Sequence, residues 1–135
     1  MTLRLEHILD YGVGKNSIQI EMAYMPEISK NASKTRDGFI KSKVRNWMND
    51  LAWGIRMMTE ANKIVWASPV LVKIDCVLNT SQTRMPDTQN FVDIISDAIE
   101  EGLGINDVNF EFLTSKARRE DTDMPRIIIT CSKGE

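Results

Sequence analysis

The chain has 135 residues, of which 42% are apolar and 27% charged. That is enough for one domain with a real core, too little for two, and too apolar for a disordered chain. The net charge of −2 and pI near 5.5 argue, as averages, against a nucleic-acid partner.

No apolar run approaches the roughly 18 residues of a membrane span. The N-terminal stretch MTLRLEHILDYG has neither the basic start nor the apolar run of a signal peptide, so a cytosolic protein is expected. The charge average conceals a segregation. Residues 30–45 hold six Lys/Arg and one Asp, whereas residues 80–123 hold ten Asp/Glu and four Lys/Arg. A basic arm is joined to an acidic centre.

In chain order, TLRLEHIL (2–9) and SIQIEMAYM (17–25) read as strands. In the second, Ile18, Ile20, Met22 and Tyr24 alternate with Gln19, Glu21 and Ala23. GVGK between them is turn material. MPEISKNASKTRDG is a long polar loop of the kind that carries function. Over residues 42–62, Val44, Trp47, Met48, Leu51, Ile55 and Met58 recur at steps of three and four, which predicts a helix with one apolar face. Ser42 is its candidate N-cap.

PVLVKIDCVL (69–78) combines alternation with β-branched content and predicts a strand. A polar loop, TSQTRMPDTQN, leads into the helix FVDIISDAIEEG, whose stripe is Phe91, Ile94, Ile95, Ala98 and Ile99. Thr88 or Asn90 would cap its start and Gly102 its end. VNFEFLTSKARR and RIIITCS predict two further strands around the turn EDTDMP. The order ββαβαββ predicts a single α+β domain over 1–135, with two main helices packed on one sheet.

The two cysteines, Cys76 and Cys131, fall inside strand-like runs and are expected as buried free thiols. With a single histidine, His7, they cannot make a four-ligand zinc site without carboxylates. A nucleophile–histidine pair would have to use His7, which lies in the first predicted strand.

The segment Arg84-Met85-Pro86-Asp87-Thr88-Gln89-Asn90 opens a helix, and Ile105-Asn106-Asp107 follows it. Should the strand–loop–helix–loop–strand path bring Asp87 and Asp107 together, two hard oxygen ligands would suit Mg²⁺. Helix capping by Asp87 and a turn role for Asp107 account for the same residues without a metal. Asp93, Asp97 and Glu101 stand at i, i+4 and i+8, with Glu100 beside them. Like charges so spaced cost a few tenths of a kcal/mol per pair. They form either a solvated acidic face or, through Asp93, an extension of the metal site.

These residues carry a resemblance. The strand VLVKIDCVL, the loop RMPDTQN, the helix FVDIISDAI, the Gly102 turn, INDVNF and RIIIT are similar to the RusA family of Holliday junction resolvases. Ser29-Lys30-Asn31, the basic loop, Ile40-Lys41-Ser42 and the helix bearing Trp47 extend the likeness over roughly residues 16–132. The family consists of small metal-dependent endodeoxyribonucleases typical of phages and prophages.

The resemblance implies a mixed sheet, a homodimer, Mg²⁺ (or Mn²⁺) and branched, four-way-junction DNA as substrate. Asp87 matches the family's first Asp, Asn90 its Asn and Asp107 its last Asp. Gln89 stands where a second Asp is expected, and Asp93 where a Lys is expected. Gln89 keeps only a neutral carbonyl as ligand. Asp93 removes a cation that would stabilise charge on the phosphate, and could instead join Asp87 and Asp107 as a metal ligand. The catalytic candidates are therefore Asp87, Asp107, Gln89 and Asp93. Lys30, Lys34, Arg36, Lys41, Lys43, Arg45, Lys116, Arg118 and Arg119 would contact DNA phosphates, although a solvated charged loop would look the same.

Three readings follow: a junction nuclease, a DNA-binding module of the same fold with weakened chemistry, and a protein-interaction domain. Apolar helix residues such as Trp53 and Met57 would suit a dimer interface.

Overall fold

The computed structural model describes residues 6–134. Its six strands are β1 (Ile8–Val13), β2 (Ser17–Ala23), β3 (Val70–Asn79), β4 (Phe110–Thr114), β5 (Arg118–Glu120) and β6 (Arg126–Lys133). Its two α-helices are α1 (Ser42–Ala61) and α2 (Val92–Leu103). The sheet order is β1-β2-β6-β3-β4, with β5 also on β3. β4 and β5 run parallel to β3 and all other pairs are antiparallel. The arrangement is the expected α+β domain with a mixed sheet.

Alternation explains the two layers. Ile18, Ile20 and Met22 of β2 stand opposite Cys131, Ile129 and Ile127 of β6. Those same β6 residues stand opposite Val72, Ile74 and Cys76 of β3. Side chains of paired residues share a face, so one side of the sheet is a continuous apolar floor. The predicted helix stripes, Val44, Trp47, Met48, Leu51, Ile55 and Met58 on α1 and Phe91, Ile94, Ile95, Ala98 and Ile99 on α2, are all buried in one core with that floor. The other face carries the exposed or half-buried Gln19, Glu21, Lys73 and Thr130, with Leu71 and Ile128 among them.

Several boundaries differ from the expectation. The predicted first strand falls partly on residues 1–5, outside the described residues. The described strand continues through Gly12 and Val13, so the turn shrinks to residues 14–16. His7 lies before that strand, where Asp50 of α1 accepts from its backbone N–H at 3.1 Å and meets its ring Nδ1 at 2.7 Å. Ser42 is the first helical residue and Lys41 the cap, without a side-chain bond. The single strand expected over 108–119 breaks into β4 and β5, which pair with successive stretches of β3.

Gly102 lies inside α2, and Gly104 ends the helix at φ +69° with its N–H bonded to the Glu100 carbonyl at 2.9 Å. Gly102 is instead where α2 crosses α1. A Cβ there would sit 2.7 Å from the Ala52 carbonyl oxygen and 3.1 Å from the Ile55 Cβ. Gly102→Ala should therefore cost about 1–3 kcal/mol, as overpacking does. Urea unfolding checks it, with an unchanged midpoint counting against the close crossing.

Cys76 and Cys131 are free and buried. Burial pushes both thiols up to about 12, with Arg118 opposing the shift at Cys76. The fold thus favours the protonated thiols. Their contribution to stability is complete below the ordinary thiol value of 9.0 and is lost as pH rises toward about 12, where only the unfolded chain ionises. Thermal melts at pH 8 and pH 10.5 should show the loss, and the double change to Ala should flatten it.

Candidate active site

Residues 26–41 are better tied down than a polar loop need be. A 3₁₀ turn at Pro26–Ile28 buries Ile28. The Lys30 N–H then donates to the Asn90 carbonyl at 2.9 Å, fastening the arm to the start of α2. Ser33 is buried, and its carbonyl accepts from the Lys41 N–H at 2.9 Å. Between them a small hairpin closes through the Lys34–Ile40 bridge and a Thr35 N–H bond to the Phe39 carbonyl at 2.7 Å. Gly38 turns it at φ +87°, a conformation that side-chain-bearing residues rarely adopt. Arg36 and Phe39 are exposed on this hairpin.

The arm forms part of an open cleft of about 580 Å³. Lys30 and Lys34 enter it from the arm, Asp93 and Asp97 from α2, Asp107 from the turn beyond, and Phe112 from β4. Asp93 and Asp97 share a helix face because they are four residues apart. Asp107 joins them because Gly104 reverses the chain and a 3₁₀ turn at Asp107–Asn109, capped by Asn106, follows.

Carboxylate oxygens of Asp97, Glu100 and Asp107 all lie within 4.8 Å of one another. Burial raises the Asp97 carboxyl above its usual range, and the neighbouring Asp107 and Asp93 add to this, while Arg45 and Lys34 oppose it. Three hard oxygens this close, two of them on exposed residues, suit Mg²⁺ or Mn²⁺ with several waters retained.

Asp87 is not one of this group. Its carboxylate accepts from the Gln89 N–H at 3.1 Å and caps a 3₁₀ turn over Thr88–Phe91. It lines a second cleft of about 540 Å³ with Lys116, Arg118 and Arg119. Asp87 and Asp107 thus line different clefts, and Asp93 goes with Asp107. Gln89 is exposed beside Asp87. Glu100 is the cluster member that the i, i+4, i+8 pattern passes over. It lies three residues after Asp97, which is also a same-face spacing, and Glu101 instead lends its backbone carbonyl to the Arg56 guanidinium at 2.8 Å.

The expected phosphate contacts are unequally available. Lys43 is paired with Glu27 at 2.8 Å and Arg118 with Glu120 at 3.0 Å. The Arg119 guanidinium donates to the carbonyls of Gln82 and Thr83 at 2.7 and 3.3 Å, holding the loop before Asp87. Lys30, Lys34, Arg36, Arg45 and Lys116 are exposed, and Lys41 is half-buried.

Residues 18–132 match the family described as endodeoxyribonuclease RusA. None of the curated proteins matches the chain. Among solved structures, it is similar to the periplasmic domain of Helicobacter pylori MotB (residues 78–256), with 11% identity, a TM-score of 0.48, and coverage of 93% of this chain and 82% of that one. It is also similar to the OmpA-like domain of FopA1 from Francisella tularensis subsp. tularensis SCHU S4, with 10% identity, a TM-score of 0.48, and coverage of 95% and 82%. Likeness at that level says nothing of what this chain does. No helix among the described residues is long and apolar enough to cross a membrane. The family match spans most of the chain and includes the whole acidic helix and its flanking turns, and the chain belongs to the RusA endodeoxyribonuclease family.

Proposed function

We propose that this protein is a metal-dependent endonuclease that cuts branched DNA, with a four-way junction as its substrate. The family match over residues 18–132 carries the reading. The gathering of Asp97, Glu100 and Asp107 supports a divalent-cation site, with Asp93 at its rim. Bound there, Mg²⁺ or Mn²⁺ would supply Lewis-acid stabilisation of phosphate charge and a more acidic water. Asp87, with Gln89 beside it in the chain, would act from the second cleft, where Lys116 can receive a second stretch of phosphate backbone. Hydrolysis adds a water oxygen to phosphorus and breaks one ester P–O bond, leaving a phosphate monoester and a hydroxyl.

A homodimer is part of the same reading. Trp53 and Met57 on α1 and Tyr11 and Val13 on β1 are exposed apolar groups. Met57, Tyr11 and Val13 line one groove between the helix and the edge strand, the kind of surface an interface covers.

Incubation of labelled four-way junction and linear duplex with Mg²⁺, and separately with EDTA, tests the function. Junction-selective cutting lost in EDTA is expected. The second reading, a DNA-binding module without chemistry, is favoured by the uncharged, exposed Gln89. Tight junction binding with no cutting in Mg²⁺ or Mn²⁺ would establish it.

The basic arm gives a separate prediction. Replacing Lys30, Lys34, Arg36 and Lys41 by Ala should weaken junction binding and flatten its salt dependence, by about 0.9 in log–log slope for each phosphate no longer neutralised. An unchanged slope in a filter-binding titration would put the arm outside the interface.

A further inference from the structure

We propose that Lys30 and Lys34 hold the scissile phosphate inside the acidic cleft, where they replace charge that the acids alone would deny it. The inference rests on the nuclease reading above and assigns these two lysines a role different from the rest of the basic arm. Lys30 and Lys34 line the same cleft as Asp93, Asp97 and Asp107, whereas Arg36, Lys41 and Lys43 do not. Their positions are set by backbone bonds, since the Lys30 N–H is fastened to the Asn90 carbonyl and Lys34 starts the hairpin at its bridge to Ile40. Neither ammonium is engaged in an ion pair within 4.0 Å among the described residues, so both are available to a ligand.

The charges explain why such cations are needed. Asp93, Asp97, Glu100 and Asp107 bring four carboxylates to this cleft and its margin. A single divalent cation neutralises only half of that charge, and a phosphodiester approaching the remainder would be repelled. Two ammonium groups in the cleft, with Arg45 acting on Asp97 from beside it, offset the remainder before the phosphate enters. Asp93 on α2 makes this more pressing, because every charged group that the helix presents to the cleft is an acid. The cations must then come from other elements: Lys30 and Lys34 of the pinned arm line the cleft itself, and Arg45 of α1 acts on Asp97 without lining it. A lysine so placed also faces charge that builds on the phosphate oxygens as the ester bond breaks.

Three measurements on the full chain test this. The first is the single-turnover cleavage rate of a four-way junction at saturating protein. The second is junction affinity against salt in EDTA. The third is Mn²⁺ affinity by electron paramagnetic resonance. Lys30→Ala with Lys34→Ala should lower the rate on the order of 10²-fold and flatten the salt slope by no more than about 0.9, one shared phosphate. The same double change should tighten Mn²⁺ binding severalfold, because two repelling charges leave. Lys30→Arg with Lys34→Arg should recover much of the rate, and Lys15→Ala, on the β1–β2 turn, should match the wild type in all three. A rate that falls only in step with affinity, a slope flattened by about 1.8 (two separate phosphates), or an unchanged Mn²⁺ affinity would each overturn the proposal. A wild-type chain silent on the junction would instead remove the nuclease reading, and the Mn²⁺ titration would still decide whether the lysines neutralise the cleft.

Discussion

Asp107→Asn should lower junction cleavage by on the order of 10²–10³-fold while leaving junction binding in EDTA close to that of the wild type. Asp107 contributes one of three carboxylates whose oxygens lie within 4.8 Å. The amide keeps the shape and loses the charge that holds a hard cation. The variant should not unfold. Asp107 is exposed, the local cap comes from Asn106, and removing a charge that presses on Asp97 relieves repulsion. An unchanged melting temperature is therefore part of the expected result.

Asp87→Asn is the matching arm. Asn caps about as well as Asp, so the 3₁₀ turn over Thr88–Phe91 survives and only the charge in the second cleft is lost. A smaller loss than for Asp107→Asn is expected from the placement of the two groups. An equal loss would mean that both clefts act on one phosphate. Full activity in Asp107→Asn would remove the acidic cluster from the chemistry.

Trp47→Ala should be the most damaging single truncation in the core, costing about 3–5 kcal/mol. Trp47 is fully buried, and its indole Nε1–H donates to the Ala23 carbonyl at 2.8 Å. One side chain thus both fills the space between α1 and the sheet and satisfies the last carbonyl of β2. For a domain of this size the loss corresponds to a drop of roughly 10–20 °C in melting temperature. Trp47→Phe separates the two roles, retaining most of the bulk and losing the hydrogen bond, and should cost roughly 1–2 kcal/mol. A drop of only a few degrees in Trp47→Ala by calorimetry would mean that the core closes around the gap.

The periodicities were legible because burial imposes them. The three- and four-residue steps on α1 and α2 and the two-residue alternation on β2, β3 and β6 are consequences of packing two layers on one core. The segregation of basic arm and acidic centre was equally plain, and so was the set of free thiols. The carboxylates were legible as a group, since a helix with Asp93, Asp97 and Glu100 must carry them on related faces. Their partition was not. Asp87 and Asp107 flank the same helix at comparable remove, and only the fold decides which of them meets the helical acids.

The α+β class, the two helices with their buried faces, and the residue types of the site thus follow from the residue order alone. Those depend on local spacing, which a linear string records in full. The tertiary structure alone decided the rest. It placed β6 between β2 and β3, split the fourth predicted strand along β3, and sent Asp87 to one cleft and Asp107 to another. It also brought Lys30 and Lys34 to the acids, through a loop fastened by the Asn90 carbonyl some sixty residues later in the chain. Such contacts follow from the path of the backbone between distant segments, set by sheet order and by the left-handed turn at Gly104, and no spacing within either segment encodes them.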